Sequence, residues 1–342
     1  MKHSFPSWAL GPRSAHPKFG GGVIIGGIEK VADRLIAIKD NFPEDLTSFH
    51  LLHELKTDIE EYAHLNSPNA ISFKDLVAGI ECGKYPRVAA LTVPAFGIPG
   101  VENGSILSLD EEVAERARKL HIEAIEKAYE LTLSDLGEGI VIWWPAFDSK
   151  SEYHCFDIPL LEDDEAWQRL VDFWVSVLDE TQGVVHLEWK PAVPGDQDYI
   201  NSIDRAIKFC CEVNAKLDYD AMLINNEWAH LLIGGCSVER GTLLTIEAGL
   251  FSGFFHANSA ELAIVEIDPE TGAVLKGAPG DDKDWFVGAG GSERWEDQLK
   301  AVQAIMKFDG NLIAEHDIDP SGDDPVEYYR KSRNNLEQMM LG

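Results

Sequence analysis

Short apolar or β-branched runs alternate with longer stretches of helical period along the whole chain. The runs fall at Ser7–Leu10, Leu46–Leu51, Val88–Val93, Gly139–Trp144, Val184–Trp189, Ala221–Asn225, Gly253–Ala257 and Asn311–Asp317, and each is read as a strand. Segments such as IEKVADRLIAIKDNF, DDEAWQRLVDFWVSVLDE and SERWEDQLKAVQAIMKF lie between them with apolar positions three and four apart. Asp110, Asp163, Ser202 and Ser292 stand where a side-chain oxygen would cap the following helix. Such alternation predicts a parallel sheet with helices outside it. Eight repeats predict closure into an α/β (β/α)8 TIM barrel, a single domain over residues 1–342. The open doubly wound sheet is the competitor, but no G-x-G-x-x-G follows the first run. The GGGVIIGG stretch lacks the Lys-Ser/Thr of a phosphate loop and is read as a flexible βα connection.

The longest connection runs from His256 to Asn311 and defines an inserted loop at about 258–290, ahead of a short helical C-terminal tail. It contains IDPETGAVLKG, two apolar runs around a turn at Gly272, which predicts a hairpin. Long loops at the C-terminal face of a barrel are where function sits.

Composition narrows the partners. With 29 Lys+Arg against 59 Asp+Glu, the formal charge is −30, which argues against a nucleic-acid partner and suits divalent cations where carboxylates converge. No run of 18 apolar residues occurs, so no membrane span is expected. The N-terminal stretch lacks a continuous apolar segment of the secretory kind. Cys82, Cys155, Cys210, Cys211 and Cys236 form no CxxC pair, in keeping with a reducing, cytoplasmic setting.

Acids and histidines gather at the ends of the late strands. In VVHLEWKPAVPG a period of two puts Glu188 and Lys190 on one face and Val185, Leu187 and Trp189 on the other. A Glu and a Lys facing a barrel interior need each other or a ligand. Glu227 and His230 lie three apart just past the sixth run, and His256 and Asn258 lie two apart on the seventh. Asp282 and Asp284 are two apart in the insertion, as are Asp317 and Asp319 after the eighth run. Each signal has a bland reading, as an ion pair, a core histidine or a solvated turn. Four successive strand ends carrying oxygen and imidazole donors together point to divalent cations.

These residues resemble the xylose isomerase-like barrel superfamily, in particular its two-metal aldose–ketose isomerases. Glu188-Trp189-Lys190-Pro191 with Pro194-Gly195 resembles the strand-five segment, and Asn225-Asn226-Glu227-x-x-His230 the strand-six segment. Asp282-Lys283-Asp284 resembles the Asp-x-Asp loop, and Asp317-Ile318-Asp319-Pro320 the final Asp-x-Lys-Pro. Phe5-Pro6-Ser7-Trp8, Phe19-Gly20 and VIWWPAF are similar to the first strand, the aromatic loop after it and the tryptophan-bearing fourth strand.

The resemblance implies two divalent cations, Mn²⁺, Co²⁺ or Mg²⁺. One would be held by Glu188, Glu227, a strand-seven ligand and Asp317, the other by Glu227, His230, Asp282 and Asp284. His256 is the expected strand-seven ligand, with Asn258 as its substitute. His50 would open the sugar ring, although His53 stands where the family has an Asp. Lys190 would stabilise charge on the carbonyl oxygen, with Asp284 beside the catalytic metal, while Trp8, Phe19, Phe96 and Trp143 would wall the pocket. The expected function is aldose–ketose isomerisation of a small sugar by a hydride shift between C1 and C2, in a homo-oligomer, dimer or tetramer. The alternatives are a one-metal ketose 3-epimerase, in which Glu188 and Asp317 are both ligands and the acid–base pair, the endonuclease branch, and a non-catalytic sugar-binding barrel.

Overall fold

The computed structural model describes residues 1–11, 27–93, 105–145, 148–151, 163–191, 196–260, 266–267, 274–276, 284–317 and 324–342. Eight parallel strands form the central sheet: β1 (Lys2–Ser4), β2 (Thr47–His50), β3 (Val88–Val93), β4 (Gly137–Trp143), β5 (Val185–Leu187), β6 (Met222–Glu227), β7 (Phe251–His256) and β8 (Ile313–Glu315). Each pairs with its sequence neighbours, and β8 pairs with β1. Ser4 bridges Leu46, and the Phe5 N–H donates to the Leu46 carbonyl at 3.0 Å, which closes β1 onto β2. The result is the expected (β/α)8 barrel.

The first strand lies earlier than the apolar pattern indicated. Ser7–Leu10 is a short 3-10 turn after Pro6, and the strand is Lys2–Ser4. A strand of three residues whose inward positions are a lysine and a serine has no apolar alternation to read. The turn's Ala9 and Leu10 bury instead with Phe5, Ile38, Phe42 and Tyr329.

Helices α1 (Val31–Asn41), α2 (Phe73–Glu81), α3 (Glu111–Leu133), α4 (Asp163–Thr181) and α5 (Ile203–Asn214) follow the first five strands. A short helix, α6 (Trp228–Ile233), opens the connection after β6, before α7 (Val238–Glu247). Then come α8 (Ser292–Ile305) and α9 (Pro325–Leu341). Asp110 and Ser202 cap α3 and α5 as expected, accepting from the Glu112 and Arg205 N–H groups. Ser292 is instead the first residue of α8, and Gly291 at φ 99° precedes it. The C-terminal segment α9 packs as the eighth barrel helix: Tyr329 stacks on Phe5 at 4.1 Å, and Arg333 reaches Asp45 at 2.7 Å. Within the insertion, Glu266–Ile267 pairs antiparallel with Val274–Lys276, as the hairpin pattern predicts. Among the described residues, no helix is long and apolar enough to cross a membrane.

Two cores divide the strands' side chains. Leu46, Ala89, Ala90, Ile140, Ile142, Phe254 and Ile313 form a cluster inside the barrel, drawn from strands around its circumference. Leu91, Val141, Trp143, Val185, Leu187, Met222, Ile224, Phe255 and Ala314 belong to the outer core under the helices. The two sets alternate, so the period of two fixes which residues reach the C-terminal mouth. One glycine sets the level. Gly253 has φ +94°, and a Cβ there would lie 2.1 Å from the Asn311 carbonyl oxygen. The ladder between β6 and β7 shifts register at this point and brings Glu227 opposite His256. His256 is in turn opposite Glu315, and Glu315 opposite Ser4.

His121 lies mid-α3, buried between Phe173 and Trp174, with ring centroids at 5.8 and 4.9 Å, and Nδ1 donates to the Ala117 carbonyl at 2.7 Å. Burial lowers its pKa to about 4, outweighing the carbonyl's opposite pull. A histidine whose folded pKa is depressed destabilises the fold as pH falls from its unfolded value near 6.5 toward the folded one. Over that interval His121→Leu should lose less stability than the wild type, by up to ~3 kcal/mol, in urea melts. Parallel pH profiles for the two proteins would contradict a neutral buried imidazole.

Candidate metal centre

The C-terminal mouth of the barrel gathers acids around one imidazole. His256, at the end of β7 and 2% exposed, points Nδ1 at Glu227 Oε2 in direct contact. Glu188 Oε2 lies 3.5 Å and Asp317 Oδ2 4.0 Å from the same nitrogen. Among the described residues, Glu188, Glu227 and His256 are the one group of three or more such side chains whose ligand atoms all fall within 4.8 Å of one another. Asp317 borders that group. It is reached by continuing the inward period of β8 from Ile313 through Glu315.

Neutral donors hold the acids in place. The Asn225 amide donates to Glu188 Oε2 at 3.0 Å, and the Trp8 indole N–H donates to Asp317 Oδ1 at 3.0 Å. Asn258 donates its amide N–H to Glu227 Oε1, while its own Oδ1 accepts the Ala229 N–H at 2.9 Å. That second bond orients the amide with its nitrogen toward the glutamate. The carbonyl oxygen, the only atom of Asn258 able to ligate a cation, is turned away. Asn258 thus supports Glu227 through its amide nitrogen, and on the seventh strand it is the His256 Nδ1 that faces the acids.

The electrostatics follow from crowding. Burial pushes the His256 imidazole down, but Glu227, Glu188 and Glu315 overcome it and hold its pKa well above the usual histidine value. Asp317 is raised to about 7, first by burial and then by Glu227, Glu315 and Glu188, with His256 opposing. A cluster that keeps an imidazole protonated and a carboxyl partly protonated calls for positive charge. The donor set, three carboxylates and one imidazole nitrogen, fits a divalent cation of the Mn²⁺, Co²⁺ or Mg²⁺ kind.

The other expected residues fall in several places. Lys190 is buried two positions past Glu188 on the same inward face, with Nζ 4.7 Å from the Trp144 ring centroid. Trp143 turns outward and packs on Trp174 and Phe209 at 4.9 and 5.5 Å. The pocket wall expected from it is one residue out of register, and Trp144 takes the inward position. His50 closes the β2 end: its ring lies 4.2 Å from Trp8, and Nδ1 is 3.2 Å from Glu54 Oε2. Glu54 thus sets beside His50 a carboxylate that His53 could not offer. Its other oxygen meets Arg34 at 3.2 Å. Burial opposes the charge on Glu54, but the His50 side chain and N–H, with Arg34, hold its pKa below the usual value. His230 is buried on α6 and is not a member of the Glu188–Glu227–His256 group. Asp284 pairs its backbone with Ala260. Phe19, Phe96 and Asp282 lie outside the described residues, as do Pro194-Gly195 and Asp319.

Four contributors were not singled out from sequence as site residues: Glu54, Trp144, Asn225 and Glu315. The period of two that selected Asp317 also selects Glu315, and a carboxylate four residues after His50 was open to the same reading as one three residues after.

No protein-family model and no curated protein sequence matches the chain. Solved structures do. An L-ribulose 3-epimerase superposes on 100% of this chain and 95% of its own with a TM-score of 0.62 at 14% identity. A D-psicose 3-epimerase, crystallised in the presence of D-fructose, matches over 100% of both chains with a TM-score of 0.59 at 12% identity. The apo 3-keto-D-glucoside 4-epimerase from E. coli matches over 99% of both chains with a TM-score of 0.56 at 16% identity. At such identities the likeness is one of fold, the α/β (β/α)8 TIM barrel.

If the cluster holds a cation, Mn²⁺ at a hundred times its dissociation constant raises the unfolding free energy by about 2.7 kcal/mol. Calorimetry with Mn²⁺ and with EDTA reads the effect as a shift in Tm. Glu227→Gln should abolish the shift; a shift of wild-type size in that variant would place the ion elsewhere.

Proposed function

We propose that the chain is a divalent-metal-dependent ketose 3-epimerase. The observation that carries the reading is the gathering of Glu188, Glu227 and His256 at the barrel mouth with Asp317 beside them, Glu188 and Asp317 each held by a neutral donor. The fold likeness to sugar 3-epimerases and a 4-epimerase supports it.

Glu188, Glu227, His256 and Asp317 would hold the cation, which when bound draws electron density from the substrate's carbonyl and neighbouring hydroxyl oxygens and so acidifies the C–H between them. Glu188 and Asp317 are the acid–base pair. One removes the C3 proton, and the other returns a proton to the opposite face of the carbon. Asn225 and Trp8 keep the two carboxylates aimed, so the exchange needs little reorganisation. His50, backed by Glu54 and Arg34, carries a proton to or from a substrate hydroxyl at the β2 side of the mouth. Lys190 binds a substrate oxygen on the side of Trp144. Trp8 and Trp144 give that space apolar walls.

The aldose–ketose isomerase is the reading this displaces. The epimerase needs one cation and the isomerase two, and the fold neighbours named as sugar 3- and 4-epimerases favour the first.

Turnover in D₂O separates the two reactions. A 3-epimerase incorporates solvent deuterium at C3, and a hydride shift moves hydrogen between C1 and C2 without exchange. A panel of ketoses incubated with Mn²⁺ and read by proton NMR should show label at C3. Glu188→Gln and Asp317→Asn should each lower kcat by 10³-fold or more. Unlabelled product would overturn the proposal in favour of the isomerase.

A further inference from the structure

Glu315 has no part in the reaction just described, yet among the described residues it is the most deeply enclosed acid. It is 0% exposed, inside the cylinder one layer below the mouth. A carboxylate in such a place is costly unless its oxygens are satisfied. One of them is. Glu315 Oε2 accepts the Ser4 hydroxyl of β1 at 2.7 Å and the Ser48 hydroxyl of β2. The other oxygen, Oε1, receives no hydrogen bond from these groups and faces His256 Nε2 at 3.4 Å. His256 Nε2 likewise makes no hydrogen bond. The two atoms left over lie 3.4 Å apart, on residues paired directly across the β7–β8 ladder, within a small ring rotation of a hydrogen bond.

The opposite ring nitrogen, Nδ1, faces Glu227, Glu188 and Asp317. His256 therefore stands between the acids of the mouth and one acid of the interior. An imidazole that ligates a metal through one nitrogen needs its other N–H accepted by a fixed partner, which selects the tautomer and the ring angle. We propose that Glu315 is a positioning residue of the metal centre: it takes the Nε2–H of His256 and holds Nδ1 toward the cation, and Ser4 and Ser48 hold Glu315. This deepens the proposed function and rests on its reading of the cluster as a metal site. The barrel's closing strands then have a chemical task, since β1 and β2 each supply one hydroxyl to the clamp.

The test uses the intact protein and two readouts. Isothermal titration with Mn²⁺ gives the affinity of the wild type and of Glu315→Gln. Nitrogen-15 NMR of the Mg²⁺-loaded wild type gives the protonation pattern of the His256 ring. The expected results are a 10- to 100-fold weaker Mn²⁺ dissociation constant in Glu315→Gln, and a ring protonated at Nε2 and ligated at Nδ1. Ser48→Ala, which leaves the carboxylate but loosens its grip, should weaken Mn²⁺ binding by a smaller factor at unchanged fold. Wild-type affinity in a folded Glu315→Gln, or a ring ligated through Nε2, overturns the role of Glu315 while leaving the metal centre standing. Should Glu315→Gln not fold, the wild-type ring pattern decides. A wild type that binds no Mn²⁺ overturns both this inference and the reading beneath it.

Discussion

The structure depends on how four carboxylates can share one imidazole. Oxygens of Glu227, Glu188 and Asp317 approach His256 Nδ1, and Glu315 approaches Nε2, all within 4.0 Å. Two like charges 4 Å apart repel by about 4 kcal/mol at the effective dielectric of a protein surface. An arrangement of this kind is uphill for the bare chain and becomes favourable when positive charge enters. In the bare chain a protonated imidazole supplies one unit; a divalent cation, which would displace its Nδ1 proton, would supply two. Much of the surrounding architecture brings these groups to one level. The Gly253 bulge aligns His256 with Glu227, closure of the sheet brings Ser4 and Ser48 beneath Glu315, and the 3-10 turn after β1 carries Trp8 over to Asp317.

The polar residues that touch the acids decide what chemistry is open to them. Asn258 is the sharpest case. Two residues past the imidazole on the seventh strand, it has a ligand's position in the sequence and a support's position in the structure, because the Ala229 N–H claims its carbonyl oxygen. With that oxygen committed, the seventh strand offers a nitrogen ligand, and Glu227 has both oxygens engaged on one side of the site. In the proposed epimerase, acid chemistry on either side of a substrate carbon falls to Glu188 and Asp317, the two carboxylates at the edge of the cluster.

The barrel was legible from the alternation of apolar runs and helical stretches because seven of the strands carry an apolar or β-branched signature. The first does not: Lys2 and Ser4 face inward for electrostatic and hydrogen-bonding reasons that hydropathy does not register. Glu188, Glu227, His256 and Asp317 were legible because strand ends with a period of two leave few places for an acid to point. Trp143 and Trp144 show the limit of that rule. Two adjacent tryptophans look alike in sequence, and only the register of Ile140 and Ile142 toward the barrel interior tells which one faces the mouth. Glu54 and Glu315 escaped for a different reason. One reaches His50 across a turn and the other reaches His256 across a ladder, and neither contact is written in local spacing.

The central claim is that one cation sits at one end of the barrel, held by side chains from four consecutive strands. An anomalous difference map from crystals grown with Mn²⁺ tests it most directly. The account predicts a peak bonded to Glu188, Glu227, His256 Nδ1 and Asp317 at about 2.0–2.3 Å. A map with no peak among those four side chains, or with manganese bound only elsewhere, contradicts it.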